Sequence, residues 1–595
     1  MRTLSRLILF VLLVFPFASA TNAVYIGQSS AGANDGTSCA NQKAASYFNS
    51  AGNWSATPSG IQIGLDTTVH LCGTFTGTAG QAMLTTQGPG TSGHQVVITL
   101  ETGAVFTAPY WGTNDGTNPN GGAITLNNDY ITLDGGTNGL ITNTQSGSGL
   151  TYNGVSSPIT AAVVIGTGCT TTCEVKNLNI TNMFVKTPYA NTDGWTVNPV
   201  GIFQMSPTVA TSHILIHNNT ISNSGSDITL QYKTGTDYQI YSNTLSRACA
   251  DIVVADGGNN TTLDTFLVHD NEMFDNYPWW DPSDNCHING MHAWAVHTGT
   301  AITNAKIYNN YVHDNMTAGC GVANCYSHST SLIFLEGSSG SITAPKIFNN
   351  LFIVATADAG MANGLISCQN ICPNPIIVNN TIIGNGTQQG AYPQGATGVT
   401  FKNNIVSNFA LLFYQQTGSL TAINFNLYNS WGTGWQEGGT TYSTLAAWRT
   451  ATGDEANSTT GAPNLSAGYI PLLGSPAIGL GTNLTSLSIA ELDTGAPQSF
   501  GATGTCGTGC VARPGSGAWD AGAYQFIPGG PAPAPQFAFK NVTPFCTTLP
   551  ASGRKICCSG MTGSFSKPLP AALNLVAGYP GTFTMTGCRN DRRAQ

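Results

Sequence analysis

Seven segments of the chain share one short pattern: ILIHNNTIS at 214–222, YQIYSNTLS at 238–246, FLVHDNEMF at 266–274, AKIYNNYVH at 305–313, PKIFNNLFI at 345–353, PIIVNNTII at 375–383 and VTFKNNIVS at 399–407. Each reads as an alternating strand, a turn marked by asparagine and a second short strand. The asparagine falls at 219, 243, 271, 310, 350, 380 and 404, at intervals of 24, 28, 39, 40, 30 and 24 residues. A constant turn residue at a variable interval means that each repeat is one coil of a stack carrying loops of adjustable length. Strands of successive coils then pair in parallel about 4.8 Å apart. The stacked carboxamides can bond one another up the column, which satisfies polar groups buried at the turn. Weaker copies, DYITLDGG at 129–136 and EVKNLNITN at 174–182, extend the pattern toward the amino terminus.

Composition agrees with an all-β solenoid. Charged residues make up 8% of the chain and hydrophobic residues 41%, enough apolar material for a long core and too much for a disordered chain. Thr, Val and Ile suit strands, while Gly and Asn suit turns, so a helix-rich fold is disfavoured. Residues 21–526 hold 10 basic against 27 acidic side chains, a net of −17, whereas 527–595 hold seven basic residues and Asp591 alone, a net of +6. An acidic body repels nucleic acid.

The ends and the cysteines divide the chain further. Residues 1–20 carry Arg2 and Arg6, the apolar run Leu7–Phe17 and the small-residue triplet Ala18-Ser19-Ala20, the arrangement of a cleaved export signal. That run is too short to cross a bilayer, and no later stretch approaches the roughly 20 apolar residues of a transmembrane segment. Residues 21–110 are expected to form an amino-terminal cap and the first coils, with a short amphipathic helix over Ala40–Asn49. The β-helix repeats then occupy 111–430, the last coils and a closing motif 431–526, and a Pro/Gly linker with a basic, cysteine-containing tail 527–595. Sixteen cysteines in an exported chain read as disulfides. Close spacing pairs Cys169 with Cys173, Cys320 with Cys325, Cys368 with Cys372 and Cys506 with Cys510; longer links are expected for Cys39 with Cys72 and Cys249 with Cys286.

The coils resemble the right-handed parallel β-helix proteins of the pectate-lyase-like superfamily. SPAIGLG at 475–481, Asp493, Arg513-Pro514 and WDAGAYQ at 519–525 look like the closing motif of bacterial secreted members, with Gly479 where an Asp is expected. The opening NDGTSCA…HLCGT looks like their amino-terminal module. The resemblance covers roughly residues 22–526 and implies the fold, not the reaction.

Function is sought where the repeat is interrupted, over His269–His297. A second strand column follows each turn: DITLQY, DIVVAD, GMHAWA, SLIFLE and GLISCQ, beginning at 227, 251, 290, 331 and 364. A period of two points Ile228, Ile252, Met291, Leu332, Leu365, Leu230, Val254, Ala293 and Phe334 inward. Asp227, Asp251, His292 and Trp294 then face outward, Asp251 diagonal to His292, with Asp256 and Glu336 at the strand ends. The long loop 277–287 would fold over this face, tied down by Cys249–Cys286. This suggests a saccharide groove. Candidate catalytic residues are Asp251, Asp256, His292 and Glu336; Trp279, Trp280, Trp294, His287, Lys233 and Arg247 are candidates for substrate contact. HINGMH at 287–292 is similar to HxDGxH-like runs of this fold, with Asn289 in place of the acid.

The three histidines are poorly spaced for zinc, because His292 has the opposite strand parity to His287 and His297. No cofactor is required; calcium is a candidate, with Asp281 and Asp284 as oxygen ligands beside Asp251 and Asp256. Only Lys233 and Arg247 could serve as the strong base of a polyuronate lyase, which favours a neutral or weakly charged polysaccharide as substrate. The expected partner is a polysaccharide or cell-surface glycan met by a secreted or surface monomer. Two functions fit: a polysaccharide hydrolase or lyase with a groove at 251–336, or a non-catalytic adhesin or carbohydrate-binding scaffold.

Overall fold

The computed structural model describes residues 22–112, 120–145, 159–183, 198–205, 207–276, 288–313, 329–354, 364–386, 389–492 and 511–527, together with backbone strands in the tail. The expected export signal, the loop 277–287 and the cysteines Cys286, Cys320, Cys325, Cys506 and Cys510 lie outside the described residues. Two compact units are present, one of residues 1–471 with 475–525, the other of 472–474 with 526–595. In the second unit, strands Ala538–Thr548, Lys555–Ser564 and Thr582–Arg589 pair antiparallel.

The first unit is a stack of parallel strands in three columns. The first column runs through Asn22–Gly27, Thr67–Leu71 and Val96–Leu100 to Val399–Lys402 and Leu420–Asn424. After each asparagine turn the chain enters the second column, as at Glu272–Phe274, Tyr311–His313 and Leu351–Ile353. It then enters the third, as at Ile288–Ala295, Ser329–Gly337 and Ile366–Asn370. Each coil thus visits three columns, the second and third joined in one sheet, before returning one strand higher. Crossovers between parallel strands are right-handed in nearly all proteins. Among the described residues no helix is long and apolar enough to cross a membrane.

The turn explains the stack. In each doublet the first residue lies in the left-handed region, with φ from 53° to 57° at Asn218, Ser242, Asp270, Asn309, Asn349, Asn379 and Asn403. Asn and Asp tolerate that conformation better than other side chains. The second residue is the rung. Asn219, Asn243, Asn271, Asn310, Asn350, Asn380 and Asn404 each donate Nδ2–H to Oδ1 of the next asparagine at 3.0–3.3 Å. The same Oδ1 accepts the backbone N–H of the asparagine below, as in Asn271 to Asn310 at 3.1 Å. Each Nδ2 also donates to a strand carbonyl, such as that of Val268 for Asn310. Both the oxygen and the nitrogen of each rung carboxamide therefore find partners, as the repeat led us to expect. Beside the column runs an apolar one, Ile216, Ile240, Val268, Ile307, Ile347, Ile377, Phe401 and Ile423, all buried.

The column has an eighth rung, Asn426, absent from the doublet pattern because Phe425 precedes it. Its Nδ2 donates to the buried Glu455 carboxyl, which also accepts from Tyr428 and Ser458. The aligned amides point their N–H groups at this carboxyl, so it closes the stack as the last acceptor. Burial pushes the Glu455 carboxyl up to about 7 despite those donors.

At the amino end the expected helix shrinks to one turn, Ala45–Phe48, preceded by a 3₁₀ turn at Cys39–Asn41. Residues 43–44 between them pair as a strand with the first strand of the stack, which ends the longer helix. Phe48 and Trp54 pack edge to face against this end of the core. The disulfides Cys39–Cys72, Cys169–Cys173 and Cys368–Cys372 are present. Cys249 is also disulfide-bonded. The closing motif lies along the outer side of the ladder: Arg513 donates to Asn349 Oδ1 at 2.7 Å and to the Gly522 and Ala523 carbonyls, while Asn379 donates to the Asp520 carbonyl. The first asparagines of the upper doublets therefore form the turn and also bind the strap.

Two outcomes test this account. Asn310→Leu, nearly isosteric, orphans the Asn271 amide and the Val268 carbonyl and should lower the unfolding free energy by about 3 kcal/mol or more in urea titration. Glu455 has a folded-state pKa raised above its ordinary 4.5, so its contribution is complete below about 4.5 and is lost as pH rises through about 7. Glu455→Gln should abolish that decline, so that wild-type stability falls relative to the variant between pH 5 and 8.

Candidate functional site

The third column places four side chains together on its outer face. Strands Ile288–Ala295 and Ser329–Gly337 pair so that His292 lies opposite Phe334 and Trp294 opposite Glu336. The imidazole of His292 stacks on Phe334, centroids 4.4 Å apart and planes within 19°, and meets Trp294 at 4.7 Å and 60°. Its Nε2 lies 3.3 Å from Glu336 Oε2. His292 is only 7% exposed, whereas the Glu336 side chain is 31% exposed. Burial lowers the His292 pKa below its usual 6.5, and Glu336 opposes this only in part. The ring is therefore held neutral near pH 7, able to take or relay a proton through a carboxylate that solvent can reach.

Phe334, expected inside, is on this outer face. A register shift between Ile288 and Asn289 adds a residue to the upper strand, so Ile333 and Leu335 take the inward places opposite Met291 and Ala293. Leu332 and Leu365 are nevertheless in the core, because one residue per coil at this corner escapes the ladder.

The same corner moves Asp227 and Asp251. Ser226 pairs with Ala250 and Ile228 with Ile252, and the residues between them are skipped. The equivalent positions in the flanking coils are Gly201 and Gly290, where a β-carbon would come within 2.7 Å of Ile221 Cγ2 and 3.0 Å of Val312 Cγ1. Both of those are core side chains. Asp227 and Asp251 thus point into the coil and are wholly buried, instead of facing outward beside His292. Burial raises both pKa values well above the ordinary range, and the neighbouring Asp251 adds to the rise at Asp227.

Asp256 is fully engaged between coils. Its Oδ2 accepts the Val296 and His297 backbone N–H groups at 2.7 and 3.0 Å, and its Oδ1 lies 2.8 Å from His297 Nδ1. Lys233 and Arg247 are exposed at corners of the coil, Arg247 with φ of 57° where other coils place Asn223, Asp275 and Asn408. Trp279, Trp280, Asp281, Asp284 and His287 lie outside the described residues. Among the described residues, no group of three or more His, Cys, Asp or Glu side chains is arranged to hold a metal.

A further ring stack escaped the sequence reading. On the outer face of the first column His217, Tyr241, His269, Tyr308 and Phe348 lie one above another, centroids 4.4–5.0 Å apart and planes within 9°. The signal was in plain view, since each ring immediately precedes the turn doublet in its repeat. Its upper part is covered by Leu484, Ile489 and Leu492. Below, Glu174 accepts from His217, Thr132 and Lys176, and the His217 bond does most to hold its carboxyl down at about 2. Rings stacked this way spend their faces on each other and leave only edges for a ligand.

Pairing of imidazole with carboxylate is general here. His70, His94, His213, His217, His269, His292, His297 and His313, all the described histidines, lie within 3.3 Å of an Asp or Glu oxygen. His292 stands apart through its depressed pKa and the tilted indole beside it.

No family model matches the chain. No curated protein matches it either. Among solved structures it is similar to the complex of XylC with xylose, at 9% identity over 75% of this chain and 87% of that one, with a TM-score of 0.36. It is also similar to pectate lyase Pel9A, at 12% identity over 86% and 97% of the two chains, with a TM-score of 0.38. These likenesses are too slight to add to what the sheet order shows. Three columns of parallel strands joined coil by coil through an asparagine ladder make this chain a parallel β-helix protein.

Proposed function

We propose that the outer face of the third column is a polysaccharide-binding surface of an exported protein, and that Glu336 and His292 form its acid–base pair. The observation that carries this reading is the neutral, buried imidazole bonded to a solvent-reached carboxylate beside Trp294. A tilted indole can offer a flat apolar surface to a sugar ring, and the carboxylate can accept a hydroxyl or exchange a proton. The net charge of −17 over residues 21–526 disfavours polyanionic substrates and points to a neutral or weakly charged polysaccharide. Export rests on the charged and apolar segment at 1–20 and on the disulfides.

One observation favours a second reading, binding without cleavage. Hydrolysis of a glycoside needs two carboxyl groups about 5–9.5 Å apart. Asp251 is inside the coil and Asp256 is saturated, so Glu336 is the one candidate carboxylate of the described site left facing solvent.

Incubation with a panel of neutral and acidic polysaccharides, with product detection and a parallel binding assay, separates the two. The enzyme reading expects product from at least one neutral polysaccharide, a loss of roughly 10²-fold or more in Glu336→Gln and His292→Ala, and unchanged melting temperatures. Glu101→Gln, which breaks a similar pair with His70 in the first coils, should leave the rate intact. Binding on the panel with no product from any member would reject catalysis and leave a carbohydrate-binding scaffold.

A further inference from the structure

At the inward corner between the second and third columns, most coils place a small or apolar residue: Ala162, Gly201, Gly290 and Leu332 occupy equivalent positions. Two consecutive coils instead place carboxyls there, Asp227 and Asp251, both wholly buried. A buried carboxylate stacked on another is strongly unfavourable unless something between them compensates. Asp227 is partly served, since its Oδ1 accepts from Ser224 Oγ at 2.5 Å and its Oδ2 from the Ser246 backbone N–H at 2.9 Å. Asp251 is approached only by Asn276 and by Asp227 itself, and neither of its oxygens completes a hydrogen bond of good geometry. The place that Ser224 fills in the coil below is taken by Ala248 in its own.

The coil above supplies a third polar group. Asn276 adjoins Asp251 and is itself fully buried. Its Nδ2 donates to the Asn289 carbonyl at 2.9 Å, which fixes the carboxamide. Asp251 Oδ1, Asp251 Oδ2 and Asn276 Oδ1 are all shielded from solvent and have no hydrogen-bond partner among the described residues. Three orphan acceptors and no orphan donor at one point in a core is the complement of a positive charge. The groups that act on the two carboxyls are Ser224, the Ser246 amide, Asn276 and each other, with no basic side chain among them.

We propose that Asp227, Asp251 and Asn276 form an interior site for one calcium-like cation that bolts two coils together beneath the third-column face. Oxygen donors without nitrogen or sulfur suit a hard cation, and irregular donors on a fixed backbone suit Ca²⁺ better than Mg²⁺, which demands a near-ideal octahedron. The site shares only Asp251 with the acids considered for calcium in the sequence: Asp256 is saturated, and Asp281 and Asp284 are on the loop outside the described residues. It does not depend on the proposed acid–base pair. Its role is to join successive coils where the ladder's own bonds are interrupted.

The full-length protein, stripped with a chelator and dialysed against Ca²⁺, should bind one equivalent that is lost in Asp251→Asn and Asp227→Asn. Asn276→Ala, which changes no charge, should weaken binding roughly tenfold. The double variant Asp281→Asn/Asp284→Asn should retain the equivalent. Calcium should raise the melting temperature of the wild type by several degrees and that of Asp251→Asn not at all. Absence of bound calcium in the wild type overturns the proposal whether or not the variants fold. So does retention of the equivalent in folded Asp251→Asn, or its loss only in the loop variant. A melting temperature that rises in Asp251→Asn irrespective of calcium would show that the two carboxyls are held by a shared proton instead.

Discussion

Everything in the first unit depends on one hydrogen-bonded column. Parallel strands must turn after each pass, and a turn buried between coils carries amide groups that water cannot reach. A side-chain carboxamide has the right inventory, donors on one atom and an acceptor on the other, to bond the turn below and be bonded by it at the spacing of the coils. Because Asn310 serves its own coil, the one below and the one above, no rung is independent. The coils can then vary between 22 and 40 residues in length without disturbing the frame.

That dependence explains what could be read from the chain. The ladder was legible because a residue type recurs for a single physical reason at every coil. Counting by two along a strand was reliable only where the strand is regular. It failed at the corner before the third column, where one residue per coil leaves the ladder, and so it set Asp251 outside and Phe334 inside. Nothing in the local composition marks that corner, since Ala162, Gly201, Asp227 and Leu332 all occupy it. Asn426 was hidden for a different reason: Phe425 takes the left-handed place usually filled by a small polar residue. His292 and Glu336 were singled out on sequence and are neighbours in space, although their contact is diagonal across a shifted register.

The chain has few formal charges and uses its histidines in an unusual way. Imidazoles usually signal a site, but here each described one meets a carboxylate, often across 24 to 44 residues of sequence and so between coils. The pairing serves as a side-chain counterpart of the backbone ladder on faces that water partly reaches. A site must therefore be recognised by departures from that habit: a depressed pKa, a ring with an unequal environment, or a carboxyl with no imidazole at all, as at Asp227 and Asp251.

The asparagine column also has a direction. Each amide donates toward the carboxyl end of the chain, and the series stops at Glu455, an acceptor that passes no donor onward. A duplicated coil inserted between Asn219 and Asn426 would inherit a donor below and an acceptor above and would extend the stack without penalty. One appended beyond Glu455 would meet a carboxylate where it needs an amide. The fold can therefore lengthen from within but not at that end, and the number of coils in such a protein is open to change by whole repeats while its terminus stays fixed.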